Sequence, residues 1–98
     1  MAAYLIVDVE VRDQAEYEEY RTLVPASLLL YEGKFIVRGG ATEIFEGDWQ
    51  PGRIIVIEFP SAERAKAWWS SDEYRIAKAK RQRAASTRMI LVEGPSNS

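Results

Sequence analysis

Three charged residues stand among the apolar residues of the predicted strands. Asp8, Arg38 and Glu58 each directly follow a valine or an isoleucine. A charge drawn into an apolar interior must be paired or solvated, because an isolated buried charge costs several kcal/mol. One interpretation is that Arg38 binds an anionic ligand while Asp8 or Glu58 accepts a proton as the catalytic group. The other is that Arg38 only bridges the carboxylates and stabilises the sheet or a dimer.

A second set of candidates is aromatic and lies on the predicted helices. Tyr17 and Tyr20 are one helical turn apart, and so are Trp68 and Ser71, with Tyr74 beyond them. Side chains at this spacing share one helix face. They either pack as core or form a pocket whose hydroxyl groups orient a small ligand. We therefore name Tyr20, Trp68, Ser71 and Tyr74 as candidate ligand-binding residues.

Trp49 is a further ligand-binding candidate because it lies in a predicted loop. The surrounding Gly47-Asp48-Trp49-Gln50-Pro51-Gly52 is the strongest loop signal in the chain. A large aromatic side chain in a loop has to cover something, which here is the rim of its own core, a partner subunit or a ligand.

The composition closes most familiar routes to catalysis. Among 98 residues there is no cysteine and no histidine, so the chain cannot make a disulfide, a thiolate zinc site, a His- or Cys-ligated haem, or a Ser-His or Cys-His pair. The carboxylates of Glu43, Glu46 and Asp48 lack the dense alternation of a cation-binding loop. We predict no metal site and no cofactor.

The charge pattern argues against nucleic acid and membranes as partners. Fifteen acidic and 13 basic residues leave a net charge of -2, and the basic cluster at Lys78 to Arg83 has no interleaved aromatic residues. The apolar start, Met1 to Val11, is too short to span a bilayer and carries two acidic residues. These features, with the absence of cysteine, predict a cytoplasmic protein.

The length of 98 residues predicts one domain over residues 1–98. The first half of this domain is predicted to contain a strand, a helix and then two further strands. Strand Tyr4 to Val11 precedes a helix that begins at Asp13, with Glu16 completing a capping box. Pro25 should bend or interrupt this helix, and Gly33 should end it in a left-handed conformation. The predicted strands that follow are 34–38 and 41–46, which form a hairpin around the turn Gly39-Gly40.

The second half repeats the pattern. A nearly continuous apolar strand covers 53–59, as expected of a central strand. Ser61 is the predicted N-cap of the next helix, and Ser70 with Glu73 should restart it after a break. The last predicted strand is Thr87 to Glu93, and residues 94–98 form a frayed tail.

This order of elements predicts a ferredoxin-like α+β sandwich, βαββαβ, with the helices on one face of a mostly antiparallel sheet. The second sheet face still carries apolar residues that no helix remains to cover. That face is predicted to hold Tyr4, Ile6, Ile36, Ile54 and Val56, interrupted by Asp8, Arg38 and Glu58. Another copy of the chain can cover it, so we predict a homodimer in which two sheets pack face to face.

Several sequence blocks, in this order, resemble the DUF1330 family from about Ala3 to Gly94. They are Leu23-Val24-Pro25, Phe35-Ile36-Val37-Arg38-Gly39-Gly40, Glu46-Gly47-Asp48-Trp49, Arg53, Glu58-Phe59-Pro60-Ser61, Ala65 to Trp68 and Ser71-x-Glu73-Tyr74. The resemblance implies a ferredoxin-like protomer of the dimeric α+β barrel superfamily, in which two sheets form a shared barrel. It implies no reaction, because the family is named for its lack of a known function.

Two hypotheses about function remain open. In the first, the protein is a homodimer that binds a small acidic or aromatic metabolite. If it also converts this metabolite, it is an enzyme that needs no cofactor. The alternative is a non-catalytic dimerisation or accessory module whose barrel is filled by side chains. The volume and lining of the interior distinguish the two.

Overall fold

Four strands and three helices form the fold in the computed structural model, which describes residues 1–95. They are β1 (Ala3–Val11), α1 (Gln14–Leu30), β2 (Lys34–Arg38), β3 (Arg53–Phe59), α2 (Ala62–Trp69), α3 (Asp72–Ala84) and β4 (Ala85–Glu93). The sheet order is β2-β3-β1-β4, and every neighbouring pair is antiparallel. The predicted ferredoxin-like α+β fold is confirmed, with its second helix divided into α2 and α3.

The alternating pattern of β1 explains its central place in the sheet. Leu5, Val7 and Val9 are buried against the helices, while the intervening side chains are only half-buried. β3 repeats the pattern, and its pairing places Ile57 opposite Leu5 and Ile55 opposite Val7. The helices therefore cover one face of the sheet, and the core lies between the two layers.

Two of the three predicted N-caps are confirmed. The side chain of Asp13 accepts a hydrogen bond from the backbone N–H of Glu16 at 3.1 Å, and Ser61 accepts one from Arg64 at 3.2 Å. The third prediction was wrong by one residue, because Ser70 ends α2 and Ser71 caps α3. The hydroxyl of Ser71 accepts from the backbone N–H of Tyr74.

The end of α1 differs from the prediction in the residue that takes the left-handed conformation. Glu32 has φ 62°, while the N–H of Gly33 donates to the carbonyl of Leu28 at 2.9 Å. Gly33 is needed for close packing instead. A methyl group there would lie 2.7 Å from side-chain carbons of Leu28 and Phe59.

The predicted third strand at 41–46 was wrong. Residues 40–52 have no regular structure, and β2 pairs directly with β3. The strand 53–59 has apolar residues on both faces and lies between β2 and β1, whereas 41–46 carries Thr42, Glu43 and Glu46. We call residues 40–52 the β2–β3 loop.

The C-terminal strand begins earlier and pairs further than predicted. β4 starts at Ala85, directly after α3, and the N–H of Gly94 donates to the carbonyl of Ala2 at 2.7 Å. Gly94 is therefore tied to the sheet and is not frayed. Residues 96–98 of the predicted tail lie outside the described residues.

The sheet face away from the helices, called here the open face, is uncovered by any element of residues 1–95. Its apolar residues are Ile6, Val37, Ile54, Val56, Ile90 and Val92. Ile90 is 60% exposed and Val92 is 41% exposed. Within the described part of the chain, no helix is long and apolar enough to cross a membrane.

Candidate functional site

A bulge in β2 moves Arg38 to the side of the sheet opposite to the predicted one. Val37 pairs with Val56 and Arg38 pairs with Ile55, with the register shifting after Phe35. Because paired residues share a face, one extra residue reverses the alternation. Arg38 therefore lies on the helix-covered side beside Ile55, and Val37 takes the place predicted for Arg38 on the open face.

Three arginines from three elements meet at this edge of the sheet. Arg21 comes from α1, Arg38 ends β2, and Arg53 begins β3. The guanidinium of Arg38 donates to the backbone carbonyl of Arg21 at 3.3 Å, and that of Arg53 donates to the carbonyl of Arg38 at 3.4 Å. We call Arg21, Arg38 and Arg53 the arginine cluster.

Pro25 supplies the carbonyl that holds Arg38. The predicted interruption at Pro25 was wrong, because α1 runs unbroken from Gln14 to Leu30. Proline has no N–H, so the carbonyl of Arg21, four residues earlier, has no helical donor. The guanidinium of Arg38 donates to that carbonyl, which compensates for the missing helical bond.

The arginine cluster lies at one end of an apolar cleft between the helices and the sheet. Beyond the cluster, the cleft is lined by Val7, Val9, Tyr17, Tyr20, Val24, Phe35, Ile55, Ile57, Trp68 and Met89. The enclosed space is about 20 Å³, close to the volume that one water molecule requires. Arg38 covers the ring of Phe35 at 4.2 Å from its centroid, so these two side chains form the rim.

Several polar atoms of the cleft have no partner among residues 1–95. They are the Nε atoms of Arg21 and Arg53 and the hydroxyl of Tyr17, all buried. Burial raises the pKa of Tyr17, although the charges of Arg53 and Arg21 and a polar contact from the Arg53 guanidinium act in the opposite direction. The hydroxyl therefore stays protonated and can donate.

The charges of the cluster are only partly balanced. Arg21 pairs with Glu18 at 3.1 Å. Within the described residues, Arg38 and Arg53 have no carboxylate within ion-pair distance. Cationic forks and a hydroxyl donor beside apolar walls can bind an oxyanion that carries an apolar group.

Of the four helical candidates, only Tyr20 and Trp68 line the cleft. The hydroxyls of Tyr20 and Tyr74 are hydrogen-bonded to each other at 3.1 Å. Trp68 stacks on Tyr74 with 3.9 Å between ring centroids, and its indole N–H donates to Ser27 at 3.0 Å. Burial raises the pKa of Tyr20 far above its ordinary value. These polar groups are satisfied within the core, and Ser71 caps α3.

Asp8 and Trp49 meet on the open face, away from the arginine cluster. The Asp8 carboxylate accepts three hydrogen bonds. The donors are the indole N–H of Trp49 at 3.0 Å, the backbone N–H of Gly52 at 2.9 Å and the guanidinium of Arg88 at 3.0 Å. Burial alone would raise the pKa of Asp8, but the bonds from Gly52, Trp49 and Arg88 together lower it. Asp8 is therefore a weak base that fastens the β2–β3 loop to the sheet.

Glu58 lies at the far end of the open face from Asp8. Glu58 pairs with Tyr4 across the sheet, four residues along β1 from Asp8, a separation of about 13 Å at about 3.3 Å per residue. Its carboxylate accepts from the Tyr4 hydroxyl at 3.3 Å and pairs with Lys34 at 3.4 Å. The predicted convergence of Arg38 with Asp8 and Glu58 was wrong.

A groove of about 480 Å³ runs beside Asp8 on the open face. Trp49 and Arg88 form its polar side, while Ile6, Ile54 and Ile90 form its apolar side. Asp8 is already bonded to Trp49 and Arg88, while Asp48 adds a second carboxylate to the lining. The groove therefore combines apolar contact with an acidic side chain. No group of three or more metal-binding side chains occurs within residues 1–95.

Sequence reasoning missed Arg21 as a site residue and did not choose Arg53. Arg21 lies four residues after Tyr17 and three before Val24, both buried, and a charge at such a position is a signal that could have been used. Arg53 opens the most apolar strand. The bulge that brings Arg38 to them leaves no mark in the sequence pattern, since it depends on pairing with β3.

Comparisons with known proteins place the chain in one family and one fold. The model of a domain of unknown function, DUF1330, matches residues 2–95. No curated protein matches the chain. A protein of unknown function from Rhodopseudomonas palustris is 18% identical with a TM-score of 0.77, over 97% of this chain and 83% of that one.

Two further solved structures share the fold at lower identity. A dimeric ferredoxin-like protein of unknown function from Jannaschia is 12% identical with a TM-score of 0.75, over 96% of this chain and 100% of its own. SnoaB, a cofactor-independent oxygenase from Streptomyces nogalater, is 11% identical with a TM-score of 0.69, over 98% of this chain and 95% of its own. At these identities the likeness concerns the fold alone.

Proposed function

We propose that this chain, which belongs to the DUF1330 family, is a homodimer that binds a small acidic metabolite with an apolar or aromatic body. The observation that carries the proposal is the arginine cluster at the end of an apolar cleft, with the buried Nε atoms of Arg21 and Arg53 unpartnered within residues 1–95.

The cationic end of the cleft would bind the acidic group. A buried donor without a partner costs about 1–3 kcal/mol, and an anionic group of a ligand at this end of the cleft would remove that cost. Arginine forks bind carboxylates and phosphates through paired hydrogen bonds. In this proposal Arg53 and Arg21 hold the anion, and Arg38 closes over it from the rim.

The apolar walls would hold the body of the metabolite. The enclosed space of about 20 Å³ admits only one small group. A larger body enters when Phe35 and Arg38 move from the rim, and both are on the surface side of the cleft, with Arg38 exposed. Tyr20 and Trp68 then contact the ligand through their rings.

Binding is better supported than catalysis. The residues that line the cleft include no carboxylate, and the two candidate proton acceptors, Asp8 and Glu58, lie on the other face of the sheet. The solved structure of a cofactor-independent oxygenase shows that this fold can carry such chemistry. In this chain the enzymatic form would require a proton acceptor from the ligand or from water.

The homodimer is proposed from the open face. Six aliphatic side chains occupy it and no helix or strand of residues 1–95 covers them, and exposed apolar patches of this kind mark interaction surfaces. Proteins from Jannaschia and Bacteroides fragilis with this fold are described as dimeric. The arginine cluster lies on the opposite face, so ligand binding and dimerisation would use separate surfaces.

The test of the proposal is to replace one guanidinium of the cluster by an apolar side chain of similar length. Arg53→Met should weaken binding of benzoate, used as an aromatic acid probe, by about tenfold or more, since a charge-assisted hydrogen bond contributes about 1.5–3 kcal/mol. Calorimetric titration gives the affinity, and circular dichroism checks the fold.

Arg75→Met is the matched control, because Arg75 is an exposed arginine on α3. It should bind benzoate like the wild type. If Arg53→Met and Arg75→Met bind benzoate equally well, or if the wild-type protein gives neither binding heat nor a shift of the Arg21 and Arg53 Nε–H signals in NMR spectra with any aromatic mono- or dianion, the proposal is wrong.

A further inference from the structure

The charges around the cleft bear on the class of acid that would bind. We infer that the head group of the ligand is a dianion, a phosphate monoester or a dicarboxylate, rather than a single carboxylate. The inference rests on the proposed function and adds the charge of the ligand to it.

The first argument is the balance of charge. Glu18 neutralises Arg21, while Arg38 and Arg53 have no carboxylate partner within residues 1–95. One carboxylate would leave one of these two guanidinium groups without an anionic partner. A dianion can pair with both.

A fourth arginine adds positive potential from the helix side. Arg81 is 5% exposed, and its Nε donates to the Tyr74 hydroxyl at 3.3 Å. Its charge reaches Tyr17, whose hydroxyl lines the cleft. Among the residues described, Arg81 has no carboxylate partner either. The positive charge near the cleft therefore exceeds what a monoanion can balance.

The second argument is the number of donors. Arg21 and Arg53 each offer a buried Nε–H without a partner in residues 1–95, and Tyr17, which Arg53 approaches, offers the proton of its hydroxyl. Arg38 adds its exposed guanidinium at the rim. A carboxylate presents two oxygens that these donors would have to share, whereas a phosphate monoester or a pair of carboxylates presents three or four, so that each donor can bind an oxygen of its own.

The experiment compares three probes that share a benzene ring. Benzoate carries one charge, and phthalate and phenyl phosphate each carry two at about pH 8, above the second pKa of about 6 for a phosphate monoester. Calorimetric titration should show at least one of the dianions binding about tenfold or more tightly than benzoate. Phenyl phosphate and phthalate distinguish the two sources of the second charge.

The outcomes separate this inference from the proposed function. If benzoate binds as tightly as both dianions, the dianion inference is overturned while binding at the cleft stands. If no probe binds, both are overturned. If a dianion is preferred, Arg53→Met should remove most of the preference and Arg53→Lys, which keeps the charge, should retain part of it. If Arg53→Met still prefers the dianions over benzoate, the inference is also overturned, because the second negative charge would then bind outside the arginine cluster.

Discussion

Gly39 is where the backbone makes room for the arginine cluster. Its φ of 75° is in the left-handed region, and its N–H donates to the carbonyl of Ile54 at 2.8 Å. A methyl group at Gly39 would lie 2.5 Å from the Cζ and Nη1 of Arg53. Glycine therefore serves both the backbone conformation and the position of this guanidinium.

Gly39→Ala should displace Arg53 and weaken binding of benzoate or phenyl phosphate by about tenfold. The free energy of unfolding should fall by about 1–2 kcal/mol, because a left-handed alanine is strained. Titration calorimetry and urea denaturation measure the two effects.

Gly40→Ala is the control, since a methyl group at Gly40 meets nothing within 4 Å. It should leave affinity and stability close to the wild-type values. Equal affinities in the two variants would mean that Arg53 does not need this space.

Pro25 acts on the site through one carbonyl. Pro25→Ala restores an N–H that donates to the carbonyl of Arg21 and so competes with Arg38 for it. We expect ligand affinity to fall about two- to tenfold while stability is kept or increased. In an Arg38→Met background, Pro25→Ala should have no further effect on affinity. Additive effects of the two changes would disprove the coupling.

At the scale of the elements, the β2–β3 loop depends on β1. Asp8 accepts hydrogen bonds from Trp49 and from the backbone of Gly52, near the loop's C-terminal end. Trp49 thereby covers part of the open face beside Ile6 and Ile54. At the loop's other end, the bulge in β2 fixes the register of the strand that leads into it. The two ends of the loop are therefore positioned by different contacts.

Asp8→Asn should loosen this loop. Removing the charged acceptor should lower the free energy of unfolding by about 1–2 kcal/mol at about pH 7. It should also speed chymotrypsin cleavage after Phe45, which is 91% exposed in the loop. Glu10→Gln, on the exposed end of β1, is the control and should behave like the wild type.

The pH dependence of Asp8 provides a separate check. The pKa of Asp8 is lowered in the folded protein. The ionised carboxylate therefore stabilises the fold at pH values above the pKa of an unfolded aspartate, and this contribution is lost as the pH falls through the folded pKa. The difference in unfolding free energy between wild type and Asp8→Asn should therefore shrink between about pH 7 and about pH 3. A constant difference would contradict the lowered pKa.

For the whole molecule, the two sheet faces have different roles. One is covered by α1, α2 and α3 and ends in the arginine cluster, whereas the open face keeps its aliphatic residues in solvent in a single chain. Burying apolar surface yields about 25 cal/mol per Å². Face-to-face packing of two copies would remove this exposed surface from water.

A lysine in the open face should therefore prevent dimerisation. Ile90→Lys places a charge among the aliphatic residues of the proposed interface, and light scattering should show the mass fall from dimer to monomer. Ile76→Lys is the matched control, because Ile76 on α3 is 61% exposed and Ile90 is 60% exposed. A wild-type monomer at micromolar concentration, or a dimer in Ile90→Lys, would refute the proposed assembly.

Local patterns in the sequence were sufficient for most of the fold. The alternation in β1 and β3, and the caps at Asp13 and Ser61, depend on neighbours within a few residues, so they are visible in the chain itself. The second apolar face could be predicted for the same reason. The prediction of a strand at 41–46 was wrong because 53–59, with its nearly continuous apolar run, takes the place between β2 and β1.

The candidate site depended on tertiary structure. Whether Arg38 faces the helices or the open face is decided by one bulge in its pairing with β3, and such a shift is set by strand partners far apart in sequence. Asp8 and Glu58 have the right residue types for proton transfer, yet the antiparallel register holds them apart. The residue types in the sequence therefore determined the fold class, the apolar second face and the exclusion of histidine and cysteine chemistry. Only the packing of α1, β2 and β3 brought Arg21, Arg38 and Arg53 to one cleft, because convergence of side chains depends on long-range contacts.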